Sequence, residues 1–329
     1  MEWVEESYRR SFKEISDFGK DVPDIQPLID YFVESLTQPK LTEWKGYKVY
    51  GFGFNADTIK WVYDNWTPWQ DDVIVASFPK TGTTWLRHIV RLLYFRHDEN
   101  LLKMTEGMVM PHIYLETGIP LKFEFLDKLP WDRKVLSTHV PAALFNFEKI
   151  RNAGAKVIYT IRNPKDQLVS WHKMMVNFPI NREGTNLKDH YPLEWGKFFD
   201  VAISGKQQMT NKEGEYYMEH LLSWYPHRND ENVLFVVFED LKKDPLKEIR
   251  RIAKFLDVKI SEDDLLNVTE SSSFASMKKE YHWTEKVKFF RKGEVGDWKN
   301  HFTVAQSEKV DALVKQKLAG TDIKFTYEL

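Results

Sequence analysis

Asp72-Val73-Ile74-Val75-Ala76-Ser77-Phe78-Pro79-Lys80-Thr81-Gly82-Thr83-Thr84-Trp85-Leu86 decides the fold of this 329-residue chain. Residues 73–78 form a near-continuous apolar run, the pattern of a strand buried on both faces. A Pro-Lys-Thr-Gly turn follows. From Thr84 onward, Leu86, Ile89, Val90 and Leu93 recur at i, i+3, i+4 and i+7, which is one face of a helix. The unit is strand, turn, helix.

The same unit recurs further along. Residues 156–161 read as a strand, Asn163-Pro164 as the turn and residues 165–175 as a helix, with Pro164 suited to its first position. Residues 232–238 read as a third buried strand, residues 240–244 as a polar turn and residues 245–256 as a helix. Residues 134–137 add a short fourth strand. Buried strands alternating with helices predict an α/β fold, a central parallel sheet flanked by helices. Ligands of such sheets bind beyond the carboxyl ends of the strands. Upstream, Leu28, Tyr31, Phe32 and Leu36 mark a helix within residues 25–36, and residues 47–54 read as a hairpin bent at Gly51 and Gly53. One globular domain is expected. Residues 1–70 form an N-terminal extension and the start of the domain, and residues 71–329 form its main body.

Bulk composition narrows the class. Lys plus Arg number 47 and Asp plus Glu 49, so the net charge of −2 gives no general attraction to nucleic acid or anionic membrane. The absence of cysteine excludes a disulfide scaffold, a thiolate zinc site and a cysteine nucleophile. Residues 1–20 are charged and lack the apolar centre of a signal peptide, and the longest apolar runs are far too short to span a bilayer. A cytoplasmic enzyme is the expected class.

The turn at residues 78–85 has the chemistry of an anion site. Gly82 allows a tight turn and a close backbone approach. The helix behind it aims its positive end and its unpaired N–H groups at the same point. Lys80 adds a charge, and Thr81, Thr83 and Thr84 add hydroxyls. A plain Gly-Thr helix cap is the bland alternative. The nucleotide-triphosphatase loop G-x-x-x-x-G-K-[ST] does not match, because Lys80 precedes the only glycine. Pro79 to Trp85 closely resembles the 5′-phosphosulfate loop of cytosolic sulfotransferases, which use 3′-phosphoadenosine-5′-phosphosulfate (PAPS) and release 3′-phosphoadenosine-5′-phosphate (PAP).

Two further motifs support that resemblance. Arg162-Asn163-Pro164-Lys165-Asp166, with Ser170 eight residues past Arg162, is similar to the family's 3′-phosphate site. Taken alone, Arg162 could be a surface partner of Asp166. Arg291-Lys292-Gly293-Glu294-Val295-Gly296-Asp297-Trp298-Lys299 matches the C-terminal signature, and the resemblance implies that Arg291, Lys292 and Gly293 close over the 3′-phosphate. By itself an Arg-Lys pair is usually a solvated face. Trp85, Phe238, Ser272 and Phe274 resemble the adenine-contacting set, with Phe238 where a tyrosine is common and Phe290 where many members carry methionine.

His139, in Ser137-Thr138-His139-Val140-Pro141, matches the family's catalytic histidine and is expected to act as base. It is one of ten histidines, so its residue type alone says little. The resemblance gives Lys80 the charge on the departing oxygen, and Ser170 the 3′-phosphate together with restraint of Lys80. No metal is expected. Ser137 stands where phenol- and estrogen-type members carry lysine, as in hydroxysteroid-type members. The acceptor is expected to be a small lipophilic molecule with a hydroxyl, met by Met174, Met175, Phe178, Trp66 and Trp69. The stretch between Phe274 and Arg291 is shorter than the usual cap, which implies an open acceptor site. Lys299, Thr303, Val304 and Glu308 resemble the family's dimer motif and imply a weak homodimer. Competing readings are a non-catalytic PAP or PAPS binder, a small-molecule kinase with residues 233–240 as its acidic strand, and sulfation followed by elimination from an allylic alcohol.

Overall fold

In a computed structural model of the chain, residues 2–50, 53–108, 110–178, 187–207, 209–281 and 291–329 are described. The strands are β1 (Leu41–Trp44), β2 (Tyr47–Tyr50), β3 (Val73–Ser77), β4 (Val135–Thr138), β5 (Lys156–Ile161), β6 (Thr210–Asn211) and β7 (Val233–Val237). The four expected strands form one parallel sheet in the order β4-β3-β5-β7. Helices cover both faces, and an apolar cluster fills each side. All five residues of β3 are buried, as its near-continuous apolar run requires. Both edge strands have one sheet neighbour, yet β4 is fully buried and β7 only half-buried.

Local differences from expectation have local causes. The hairpin pairs β1 with β2, so it begins earlier than residue 47. Lys45 (φ +52°) and Gly46 (φ +78°) supply the tight two-residue turn. Residues 240–244 are not a loose turn. A short helix, Phe238–Lys243, starts directly at the end of β7, with Phe238 and Leu241 buried at i and i+3. Asp244 then caps the next helix, Pro245–Phe255, accepting from the Lys247 N–H at 3.1 Å.

The N-terminal segment is part of the same core. Its helix, Glu2–Ser16, buries Phe12 and Ile15, and Phe12 packs 6.1 Å from Phe32 of the Gln26–Thr37 helix.

The chain leaves β3 towards β4 on one side and leaves β5 towards β7 on the other. This reversal opens a crevice above the carboxyl ends of β3 and β5. No described helix is long and apolar enough to cross a membrane.

Candidate active site

The loop after β3 is held from beneath. Thr81 donates its hydroxyl to the carbonyls of Phe78 (2.8 Å) and Thr160 (3.1 Å), while Thr160 Oγ1 donates back to the Thr81 carbonyl at 3.0 Å. Thr81 is therefore a fastener and does not face the cavity above. Gln167 Nε2 holds the Pro79 carbonyl at 2.9 Å. Two residues turn with positive φ, Lys80 at +71° and Gly82 at +116°. The Thr83–Phe95 helix starts there, and its first N–H groups have no partner within the helix. Gly82 has no space for a side chain, since a Cβ would come within 2.9 Å of Phe238.

The other two motifs converge on this loop. Tyr217 Oη accepts from the Arg162 N–H at 2.9 Å and donates to its carbonyl at 2.8 Å, which fixes the end of β5. The Arg162 guanidinium lies 4.1 Å over the Phe238 ring and donates to the Glu294 carbonyl at 3.0 Å. The alternative pairing with Asp166 does not form. Asp166 instead accepts the N–H groups of Gly296 (2.8 Å) and Trp298 (3.0 Å), so it ties the C-terminal loop to the Pro164–Asn177 helix. Arg291 and Lys292 both pair with Asp297. Burial opposes that carboxylate's charge, but the bonds from Lys292, Asn300 and Arg291 hold it well below its ordinary range. Gly293 (φ +66°) lies flat against Phe274, where a Cβ would come within 2.4 Å of the ring.

These residues wall one cavity of about 1000 Å³. Lys80, Gly82, Thr83, Thr84, Trp85, Arg162, Ser170, Phe238, Phe274, Arg291, Lys292 and Gly293 line it, and so does His139. Trp85 and Phe238 meet edge-on with centroids 5.4 Å apart. Ser272 stands behind the wall, its carbonyl accepting from Trp85 Nε1 at 2.8 Å. Phe290 lies outside the described residues, as do residues 282–289 of the expected cap. Lys80 has a pKa lowered to about 7, first by burial and then by the charges of Arg162 and Arg291. A set of cations that repel one another in a buried cleft is one that a polyanion stabilises. The cleft therefore fits a doubly phosphorylated nucleotide.

His139 stands at the edge of this cationic region. Its Nδ1–H donates to the Ser77 carbonyl at 2.7 Å, and its own carbonyl accepts from Thr210 Oγ1 (2.8 Å) and His220 Nε2 (3.1 Å). Glu116, buried, accepts its backbone N–H at 2.6 Å. Nε2 has no hydrogen bond among the described residues. Burial lowers the imidazole pKa to about 3. The bond to Ser77 opposes that shift, and His220 and Lys80 add to it. The ring is neutral at pH 7 and keeps its Nε2 lone pair, the state a general base needs. Ser77 Oγ lies 2.6 Å from Thr83 Oγ1 and 3.2 Å from His139 Nδ1, so the loop and the imidazole share one small network.

A family model described as the sulfotransferase domain matches residues 70–322. The chain belongs to the sulfotransferase family. It is 31% identical over 316 residues to rat sulfotransferase 1C2, covering 90% of this chain and 98% of that one. It is 29% identical over 322 residues to zebrafish cytosolic sulfotransferase 1, covering 94% of this chain and all of the other. The solved structure of mouse sulfotransferase SULT7A1 complexed with PAP aligns with a TM-score of 0.66 at 26% identity, over 86% of this chain and 96% of that one. Membership makes this sulfotransferase a PAPS-dependent transferase, as its three motifs implied.

The remaining part of the sulfotransferase cavity mixes apolar residues with charged ones, Arg87, Glu106 and Glu280 among them. Met174, Met175 and Phe178 line it as expected. Trp66 and Trp69 do not: Trp66 packs on Phe123 at 5.7 Å, and Trp69 lies beneath the Lys134 ammonium at 2.9 Å. Both are wall-building residues elsewhere in the core. Phe54 and Tyr114 take their place, flanking the His139 ring at 6.5 Å and 4.7 Å. The sequence reading also missed Tyr8, Ile15 and Phe18, which bring the N-terminal helix and the turn after it to the cavity wall. The helical spacing from Tyr8 to Ile15, i to i+7, was the available signal. Ser137 is buried in β4 and does not line the cavity.

Proposed function

We propose that this sulfotransferase moves the sulfuryl group of PAPS to a hydroxyl of a small lipophilic acceptor by in-line displacement. His139 Nε2 takes the hydroxyl proton as the acceptor oxygen bonds to sulfur and the sulfur–oxygen bond to the 5′-phosphate breaks. Lys80 and the N–H groups at the start of the Thr83–Phe95 helix meet the charge that develops on the departing oxygen. Arg162, Ser170 and the loop of Arg291, Lys292 and Gly293 hold the 3′-phosphate. Trp85, Phe238 and Phe274 flank the adenine.

The observation that carries this reading is one cavity lined both by a neutral imidazole with an open Nε2 and by the cations Lys80, Arg162, Arg291 and Lys292. The experiment is H139A, assayed with radiolabelled PAPS and a panel of hydroxyl acceptors, beside calorimetry with PAP. Turnover is expected to fall by about 100-fold or more, the ordinary worth of a general base, with PAP affinity kept. Unchanged turnover would remove His139 from the reaction, and no affinity of the wild-type protein for PAP would remove the donor assignment.

The dimer belongs to the same reading. Val304 is 75% exposed at the start of the Val304–Lys317 helix, just after Thr303, whose hydroxyl caps Gln306 N–H at 3.2 Å. An exposed apolar residue beside Lys299 and Glu308 supports a small two-fold contact. V304E is expected to shift a concentration-dependent dimer to monomer in sedimentation velocity. Sedimentation as a monomer by the wild-type chain at every concentration rejects the contact. The name of the zebrafish relative supports residence in the cytoplasm.

A further inference from the structure

Arg87 has no role in the reading above. It projects from the Thr83–Phe95 helix one turn beyond Thr83, four residues on, and so on the same face. That face fronts Tyr114, on which the Arg87 charge acts. Arg87 lines the cavity and is only 6% exposed. Among the described residues it makes no hydrogen bond and no ion pair. The nearby acid, Glu280, pairs with Arg91, has His88 Nδ1 at 3.7 Å and also feels the Arg87 charge without a direct ion pair to it. Elsewhere on this wall, Arg10 faces Glu14 at 4.0 Å with both side chains exposed.

The Arg87 guanidinium opens to the cavity, and its planar fork matches a carboxylate in two-point contact. The donor's phosphates have other partners in Lys80, Arg162, Arg291 and Lys292. Arg87 instead acts on Tyr114, whose ring packs on His139. We infer that Arg87 is the docking point for a carboxylate on the acceptor, so that this enzyme prefers lipophilic hydroxy acids to neutral alcohols and phenols. The inference rests on the proposed transfer reaction. In it, Arg87 anchors the acid end of the acceptor while His139 faces the hydroxyl end.

The test uses hydroxyaryl-alkanoic acids of increasing chain length, each paired with its methyl ester, with the wild-type protein, R87Q and R87K. The wild-type protein is expected to favour one or more of the acids over its ester by about tenfold or more in kcat/KM, the worth of one charge-assisted hydrogen bond. R87Q is expected to remove that preference, chiefly by raising KM for the acid, and R87K to restore part of it. PAP affinity, read by calorimetry, is expected to match the wild type in both variants. Equal use of every acid and its ester by the wild-type protein overturns the inference. So does an acid-to-ester ratio unchanged in R87Q, or a loss of PAP affinity in R87Q, which would assign Arg87 to the donor. Failure of the wild-type protein to bind PAP at all is a different result and defeats the underlying transfer reading instead.

Discussion

Lys80 and His139 have depressed pKa values for the same first reason, burial, yet the consequences differ. A neutral imidazole is ready to accept a proton. A lysine with a pKa near 7 is partly uncharged until an anion arrives. Binding a polyanion beside Lys80 raises its pKa again, so binding at alkaline pH must draw in a proton. At pH 6 the lysine is already charged and no uptake follows; at pH 8 it is mostly neutral and uptake approaches one proton. Calorimetry of PAP binding in two buffers of different ionisation enthalpy reads this number. Equal uptake at pH 6 and pH 8 would place the Lys80 pKa elsewhere. Single residues also show where reading by type ends. Thr81 has the same hydroxyl as Thr83 and Thr84, but its bonds to Phe78 and Thr160 turn it away from the cavity.

At the scale of elements, the site is a junction of three loops that touch through glycines and rings. Gly82 lies under Phe238, Arg162 lies over the same ring, and Gly293 lies against Phe274. A methyl group at either glycine meets both a positive φ and a ring within contact distance. G82A is expected to lower stability by about 1–3 kcal/mol, the cost of a strained backbone position, measured by denaturant unfolding. G293A is expected to weaken PAP binding by about tenfold, since the displaced Phe274 ring and the loop move together. A G293A protein with wild-type PAP affinity would show that the loop does not close on the nucleotide. The two contacts on Phe238 join it to residues 156 and 76 positions away, and local pattern cannot report them. Motif order and type were legible, because each loop carries a cation beside a Pro or a Gly. The mutual wedging of the loops was not.

Over the whole molecule, the N-terminal helix has two duties. Phe12 and Ile15 complete the core against Phe32, and Tyr8, Ile15 and Phe18 wall the cavity. F12A is expected to cost about 3–5 kcal/mol of stability, as large core truncations do. It is also expected to raise KM for lipophilic acceptors while leaving PAP affinity intact. A parallel loss of PAP affinity would show that the helix supports the donor loops as well. The segment carries no motif, so the sequence assigned it a place before the main body and no task. Trp66 and Trp69 erred the other way: large aromatics suggested a lining role, and packing on Phe123 and Lys134 took them elsewhere.

The sequence by itself determined the parallel sheet, the three motif loops, the histidine at the end of β4 and the family. Each rests on a short continuous segment whose periodicity, turn residues and charges act locally. The tertiary structure alone decided which hydroxyls face the cavity, that Asp166 anchors a loop rather than Arg162, and that a distant helix walls the cavity. It also decided that Arg87 lines the cavity. Those outcomes depend on which side of each element is covered by chain from far away, and that is settled by packing, not by pattern.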